Sequence, residues 1–303
     1  MLDLAMLAAL HEKYREEASA QVAEFALGRH RFEFESRRYL MGVVNLSRDS
    51  WYRESVALSA EAAIRRGRVL HAQGAAIIDL GAESTLAHAE LVDGAEQEKM
   101  LLPIVRELAA AGSCVSVETY QTAVAASCLK AGAQVLNLTG TAQNEEMFRL
   151  VADHEAAVIL CFVEGANVRE VGDLKLEQDP IAALYEFFAP RVETALNAGV
   201  SRLWLDPGLG FYYRNLQDSA VRIRRQLEIF LQSFRLRKLG WPICQALPHA
   251  FECFEEEVRS AEPFFAVAAL LGQASLLRTH EVAKVSGVLK TMELVVAEKE
   301  AKT

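Results

Sequence analysis

From residue 39 onward, short apolar runs alternate with longer stretches whose apolar positions recur every three or four residues. The short runs predict strands over 39–45, 75–80, 114–118, 134–138, 157–162, 202–206, 241–247 and 274–279. The longer stretches predict helices over 59–73, 96–111, 122–131, 145–154, 180–198, 218–236, 263–272 and 282–297. Glycines fall where helix C-caps need them, at Gly74, Gly112, Gly132, Gly199, Gly240 and Gly272. The links into strands are therefore tight, whereas long polar loops follow the strands at 46–58, 81–95 and 163–179. Upstream, residues 1 to about 28 read as a helix with Leu4, Leu7, Ala8 and Tyr14 on one side, and the alternation over 31–35 reads as a short half-exposed strand.

Eight strands alternating with eight helices, with long loops at one end only, predict an α/β fold of the (β/α)8 TIM barrel type. An open doubly wound sheet has the same rhythm and is the alternative. The expected division is an extension over 1–37, the barrel over 38–297 and a charged tail over 298–303. Several strand-like runs end on polar side chains: Asn45, Asp79, Glu118, Asn137 and Asp206. Asp206 is held most firmly, between the apolar Leu203-Trp204-Leu205 and the stiff turn Pro207-Gly208. Polar groups collected at the C-terminal ends of barrel strands build active sites in this architecture.

Composition narrows the classes. A formal net charge of −9 argues against a nucleic-acid partner, because backbone binding relies on clustered Lys and Arg. No apolar run reaches the roughly 18 residues a membrane helix needs, so no membrane partner is expected. The apolar start, Leu2 to Leu10, contains Asp3 and lacks a basic leader, which makes the cytoplasm the expected compartment. Five cysteines at wide spacing suggest neither a zinc motif nor a disulfide framework, and are expected to be reduced core residues. Neither a P-loop nor a dinucleotide fingerprint occurs, and no His-x-His marks the first strand.

The run Met41-Gly-Val-Val-Asn-Leu-Ser-Arg-Asp-Ser50 resembles the opening motif of the dihydropteroate synthase (pterin-binding) family. The resemblance continues through 76–85, 115–119, 135–138, 205–211 and 278–282, spanning about residues 38–297 in the family's order. It implies a transferase joining 6-hydroxymethyl-7,8-dihydropterin pyrophosphate to p-aminobenzoate in folate biosynthesis, working as a homodimer with magnesium on the substrate's pyrophosphate. It also implies pterin contacts at Glu118, Asn137 and Asp206, with Asn45, Asp49, Arg278 and His280 at the catalytic and anion side. Asn45 would face the metal. Glu118 stands where the family has an aspartate, which moves the carboxylate outward by one methylene.

The second-substrate side departs from the pattern. After Thr85 the family's Arg-Pro is Leu86-Ala87, its lysine after strand seven is Ala250, and the neighbouring arginine is His249. Arg48 replaces a proline, Arg53 replaces an acid and Asp49 is retained. Arg48, Arg53 and His249 are thus loop candidates for replacement charge, beside Thr85. Two alternatives follow from these departures: a non-catalytic pterin-binding paralogue or partner subunit, and a pterin-dependent methyltransferase working with a corrinoid carrier.

Overall fold

The computed structural model describes residues 2–50, 55–86, 89–211, 213, 215–216 and 218–300. Ten strands are formed: β1 (Phe25–Leu27), β2 (His30–Phe32), β3 (Tyr39–Asn45), β4 (Ile77–Gly81), β5 (Cys114–Thr119), β6 (Val135–Leu138), β7 (Ala157–Cys161), β8 (Leu203–Asp206), β9 (Cys244–Ala246) and β10 (Leu276–Thr279). The last eight run parallel in the order β8-β7-β6-β5-β4-β3-β10-β9. A parallel bridge between Leu205 and Ile243, with Leu205 N–H donating to Pro242 O at 3.0 Å, joins β8 to β9 and closes the cylinder. The TIM barrel expected from the alternation is therefore observed, and the open sheet is excluded.

Period-two alternation along each strand separates two cores. Leu203 and Leu205 face outward with Ile78, Leu80, Val115, Val117, Leu136 and Val158, packing on helix residues such as Leu101, Ile104, Phe148, Phe188 and Phe265. Trp204 faces inward with Met41, Ile77, Cys114, Val135, Ile159, Cys244 and Leu276. Asp206, two residues on, shares that inward direction. Several helices start on short polar caps: Ser59 accepts from Ala62 N–H, Asp93 from Glu96 N–H and Asp218 from Val221 N–H.

The segment before β3 differs from the expected long helix. Helices cover Leu4–Lys13 and Arg15–Ala18 only; then β1 and β2 form an antiparallel hairpin turned at Gly28, where φ is +54°. The half-exposed alternation expected over 31–35 is observed, with Arg31 and Glu35 exposed and Phe32 and Phe34 buried. The hairpin drives Leu27, Phe32 and Phe34 into the N-terminal mouth of the barrel. Trp204 meets Phe25, Phe32 and Phe34 edge-on at centroid distances of 4.7, 5.5 and 5.9 Å. Such pairs add about 0.5–1.5 kcal/mol each beyond their buried area. Arg237, buried on the far side, fixes the hairpin by bonding Glu35 at 2.6 Å and Ala20 O at 3.0 Å.

Smaller differences have local causes. The predicted helix over 218–236 divides into an α segment (Ser219–Gln232) and a 3-10 segment (Ser233–Leu239). Two short turns, Phe251–Phe254 and Glu255–Ser260, precede the helix Ala261–Leu271. Gly272 keeps a negative φ, and Gln273 takes the left-handed turn instead at φ +60°. Glycine is still required there, because a Cβ would stand 1.7 Å from Phe230 O. Cys253 is exposed, unlike the other four cysteines. No helix among the described residues is long and apolar enough to cross a membrane.

Asp179 offers a test of the scaffold. It caps the helix Pro180–Asn197 through Ile181 and Ala182 N–H and takes Arg235 in a two-pronged pair at 2.9 and 2.6 Å. Asp179→Ala is expected to lower stability by about 1–2 kcal/mol in urea denaturation with the fold retained.

Candidate functional site

The inward positions at the C-terminal ends of the strands change from apolar to ionisable, and the strand register fixes which of them meet. Gly81 pairs with Glu118, Glu118 with Asn137, and Cys161 with Asp206. Arg278 enters from β10 and binds two acids at once, Asp79 Oδ2 through Nε at 2.9 Å and Glu118 Oε2 through Nη2 at 2.6 Å. Asn137 donates to Asp79 Oδ2 at 3.1 Å, Ser116 Oγ donates to Asp79 Oδ1 at 2.7 Å, and Cys161 Sγ donates to Asn137 Oδ1 at 3.3 Å. Asp206 Oδ1 accepts Gly208 N–H at 2.8 Å. Gly208 has φ +73°, and a Cβ there would stand 2.2 Å from Phe162 O, so the turn that holds Asp206 needs glycine.

Three buried carboxylates thus face one guanidinium. Burial raises Glu118 to about 7, with Arg278 pulling it down and Asp79 and Asp206 pushing it up. Burial likewise raises Asp206 to about 6, against the Gly208 N–H and Arg278, which favour its ionised form. Burial disfavours the charge on Arg278, but Glu118, Asp79 and Asp206 outweigh it and hold the group above its ordinary value. Perturbed carboxyls beside a specific cation, inside a concave site, are the arrangement expected where function resides.

Above this layer lies a cavity with about 880 Å³ of empty space, including the part open to solvent. Its wall includes Asn45, Thr85, Glu118, His249, Arg278 and His280. Six of the predicted residues are therefore brought together. Asn137 and Asp206 lie one layer deeper, buried below the wall at 1% and 3% exposure. Arg278 is turned down onto acids rather than held out toward an anion. His280 also departs from the expected cationic donor: burial holds its imidazole below the usual value, against the pull of Glu262. Asn45 donates through Nδ2 to Ser55 Oγ at 2.6 Å.

One loop candidate, Arg48, and one expected catalytic residue, Asp49, stand elsewhere. Arg48 is exposed and outside the cavity wall. Asp49 is also exposed, its Oδ2 accepting Glu90 N–H at 3.0 Å, which ties two loops together. Arg53 and Ala87 lie outside the described residues.

Three residues of the site, Ser116, Arg169 and Glu262, were not singled out from the sequence, and Asp79 was named only as a polar strand end. Asp79 and Ser116 share one network, and their signal was a polar residue at an inward position of an otherwise apolar strand. Arg169 reaches from the loop after β7 to Ser84 O at 2.8 Å, Ala89 O at 2.6 Å and Leu86 O, pinning the loop after β4. Glu262, the one acid in the apolar helix Ala261–Leu271, is fully buried behind the rim. Its Oε1 faces His280 Nδ1 at 2.8 Å and His249 Nε2 at 3.3 Å. Its Oε2 accepts Thr279 Oγ1, His280 N–H at 3.0 Å and Glu281 N–H at 3.2 Å. Burial opposes its charge, but the two imidazoles hold it well below the usual carboxylate range.

Comparison with known proteins agrees with this geometry. The family described as Pterin binding enzyme matches residues 41–246. A dihydropteroate synthase from Synechocystis is 28% identical over 279 residues, covering 88% of this chain and 93% of its own. The solved dihydropteroate synthase of Thermus thermophilus, in complex with 6HMPPP, superposes with a TM-score of 0.69 at 28% identity, covering 90% of this chain and 99% of that one. The Xanthomonas albilineans enzyme with 4-aminobenzoic acid gives 0.75 at 26% identity, covering 91% and 99%. On the fold alone, the Yersinia pestis enzyme gives 0.78 at 20% identity, covering 91% and 100%. The match embraces β3 to β9 and every acid of the buried network, and the chain belongs to the pterin-binding enzyme family as a dihydropteroate synthase-like member.

Proposed function

We propose that the cavity binds a pterin pyrophosphate, with the ring's amino-pyrimidinone edge on Asp206 and Asn137, and that the half for the second substrate has been rebuilt. The observation that carries this reading is the buried acid–amide network beneath the cavity. An ionised carboxylate accepts two parallel N–H groups from a guanidine-like edge, and Asn137 offers both a donor and an acceptor. Arg278 would leave Glu118 and Asp79 in part as the ring enters, turning toward the ring and the anion. Asn45 and Thr85 line the opposite wall, where a pyrophosphate would lie.

Magnesium fits this site in a limited way. It keeps several waters and uses few protein oxygens beside substrate phosphates. Asn45 Oδ1 and Glu118 Oε2 both approach Gly81, at 3.5 and 3.6 Å from where its Cβ would stand. Glu118 Oε2 is taken by Arg278, so Asn45 would hold the ion, which would neutralise the departing pyrophosphate.

Among the described residues, the cations of the wall are Arg222 and Arg278, with His249 and His280 beside them and no lysine. Loss of one charge-assisted donor costs about 2–4 kcal/mol of transition-state stabilisation. Calorimetry is expected to show tight binding of 6-hydroxymethyl-7,8-dihydropterin pyrophosphate. Pyrophosphate release with p-aminobenzoate is expected at least ~100-fold below that of a lysine-bearing relative. No pterin binding by folded protein with magnesium would overturn the reading; full synthase rates would overturn its second half. A homodimer in the cytoplasm completes the proposal, supported by Phe264, Val267 and Leu271 exposed along one side of the helix Ala261–Leu271.

A further inference from the structure

The rim of the cavity carries a second constellation, whose buried acid, Glu262, has no part in the pterin reading. His249 stands on the loop after β9, between Pro248 and Ala250. Ala250 is held at φ +45°, a left-handed conformation costly for a residue with a Cβ. His280 follows β10, and Glu262 comes from the helix between them. His249 Nε2, His280 Nδ1 and Glu262 Oε1 all lie within 4.8 Å of one another.

We propose that His249, His280 and Glu262 form a site for one divalent transition-metal ion, zinc by its donor chemistry, with an open coordination position toward the cavity. Two imidazole nitrogens and one carboxylate oxygen are the donor set of zinc centres that keep a fourth position for water or substrate. Zinc bonds of about 2.0–2.1 Å in a tetrahedron set the ligand atoms about 3.3–3.4 Å apart. The Nε2–Oε1 separation is 3.3 Å and the Nδ1–Oε1 separation is 2.8 Å, so of the two edges that meet at Glu262 one already has the length zinc needs and the other would open by about half an ångström, while the edge between the two imidazole nitrogens lies within 4.8 Å.

The carboxylate is also prepared for the role. Thr279 Oγ1 and the His280 and Glu281 N–H groups fix Oε2, which leaves Oε1 aimed at the imidazoles. Bonds of this kind orient metal ligands from behind. Glu262 itself is closed to solvent, whereas both histidines line the cavity, so the unfilled position of a bound ion opens inward. The ion would place a dication on the wall whose lysine is missing.

The test uses the full chain after chelator treatment and dialysis. Zinc binding is followed by calorimetry, and cobalt substitution by the visible d–d bands of a four-coordinate ion. One equivalent per chain is expected. His249→Ala is expected to weaken zinc at least ~100-fold, the loss of a direct ligand exceeding the 10–100-fold typical of groups behind the ligands. Glu262→Gln tests the buried corner, and His249→Ala, on the rim, keeps the proposal testable should that variant unfold. Cys253→Ser is expected to bind as the wild type. Absence of binding by folded wild-type protein, wild-type affinity in His249→Ala, or loss of the ion in Cys253→Ser would each overturn the assignment. No pterin enters the experiment, so its failure is distinct from failure of the pterin reading.

Discussion

Asp206→Asn is expected to resist unfolding better than the wild type at pH 8 and to lose about 100-fold of its pterin affinity. The two effects share one cause. Burial raises the acid from an ordinary 3.8 to about 6, so the empty folded state ionises it only at a cost. A carboxyl whose folded value is raised contributes stability that is complete below pH 3.8 and is lost as pH climbs through about 6. The wild type therefore gives up on the order of 3 kcal/mol across that window at about 1.4 kcal/mol per unit, and the neutral amide does not. Asparagine keeps an oxygen for the Gly208 N–H. It cannot accept two ring N–H groups, because one of its own edges is a donor, and a donor buried against a donor costs about 1–3 kcal/mol. Urea melts at pH 4, 6 and 8 check the first half, and calorimetry checks the second. Equal stability at pH 8, or wild-type affinity, would show that Asp206 is not the strained acceptor described.

Arg278→Met is expected to cost about 3–5 kcal/mol at pH 8, the usual penalty for removing one partner of a buried ion pair. Asp79 and Glu118 would then lie buried without their common cation. The loss should shrink at pH 5, because Glu118, already raised to about 7, can take up a proton when its partner is gone. Paired denaturation curves at the two pH values decide the matter. A change below 1 kcal/mol at pH 8 would mean that the bridge adds little. A loss that grew toward acid pH would place its origin elsewhere. Opposite outcomes for two neighbours in one network are the signature of a centre with more negative charge than its single arginine balances.

The barrel was legible because strands that face two cores alternate in a readable way. Leu203, Trp204, Leu205 and Asp206 point out, in, out and in, and the proline–glycine turn marks where the strand must stop. The family motifs then named Glu118, Asn137 and Asp206, and the register sets Glu118 beside Asn137 and Asp206 beside Cys161. What stayed hidden depends on contacts between residues far apart in sequence. Arg278 and Asp79 are 199 positions apart, and nothing local to either says that they bond. Glu262 carries no local mark in the sequence, and its partners His249 and His280 come from loops on either side of it. The first strand of the hairpin, Phe25–Leu27, was taken into the N-terminal helix because Phe25 and Leu27 are too few to set a period, and only the open end of a barrel gives them something to cover.

That hairpin also separates what is recognisable from what can stand alone. The span that the family model matches begins at residue 41, yet the hydrophobic well it encloses, with Trp204 near its base, is kept dry by side chains supplied before residue 35. The staves carry the polar ring, whereas watertightness depends on a cork that supplies none of it. The smallest autonomous piece of this molecule therefore starts upstream of Val22.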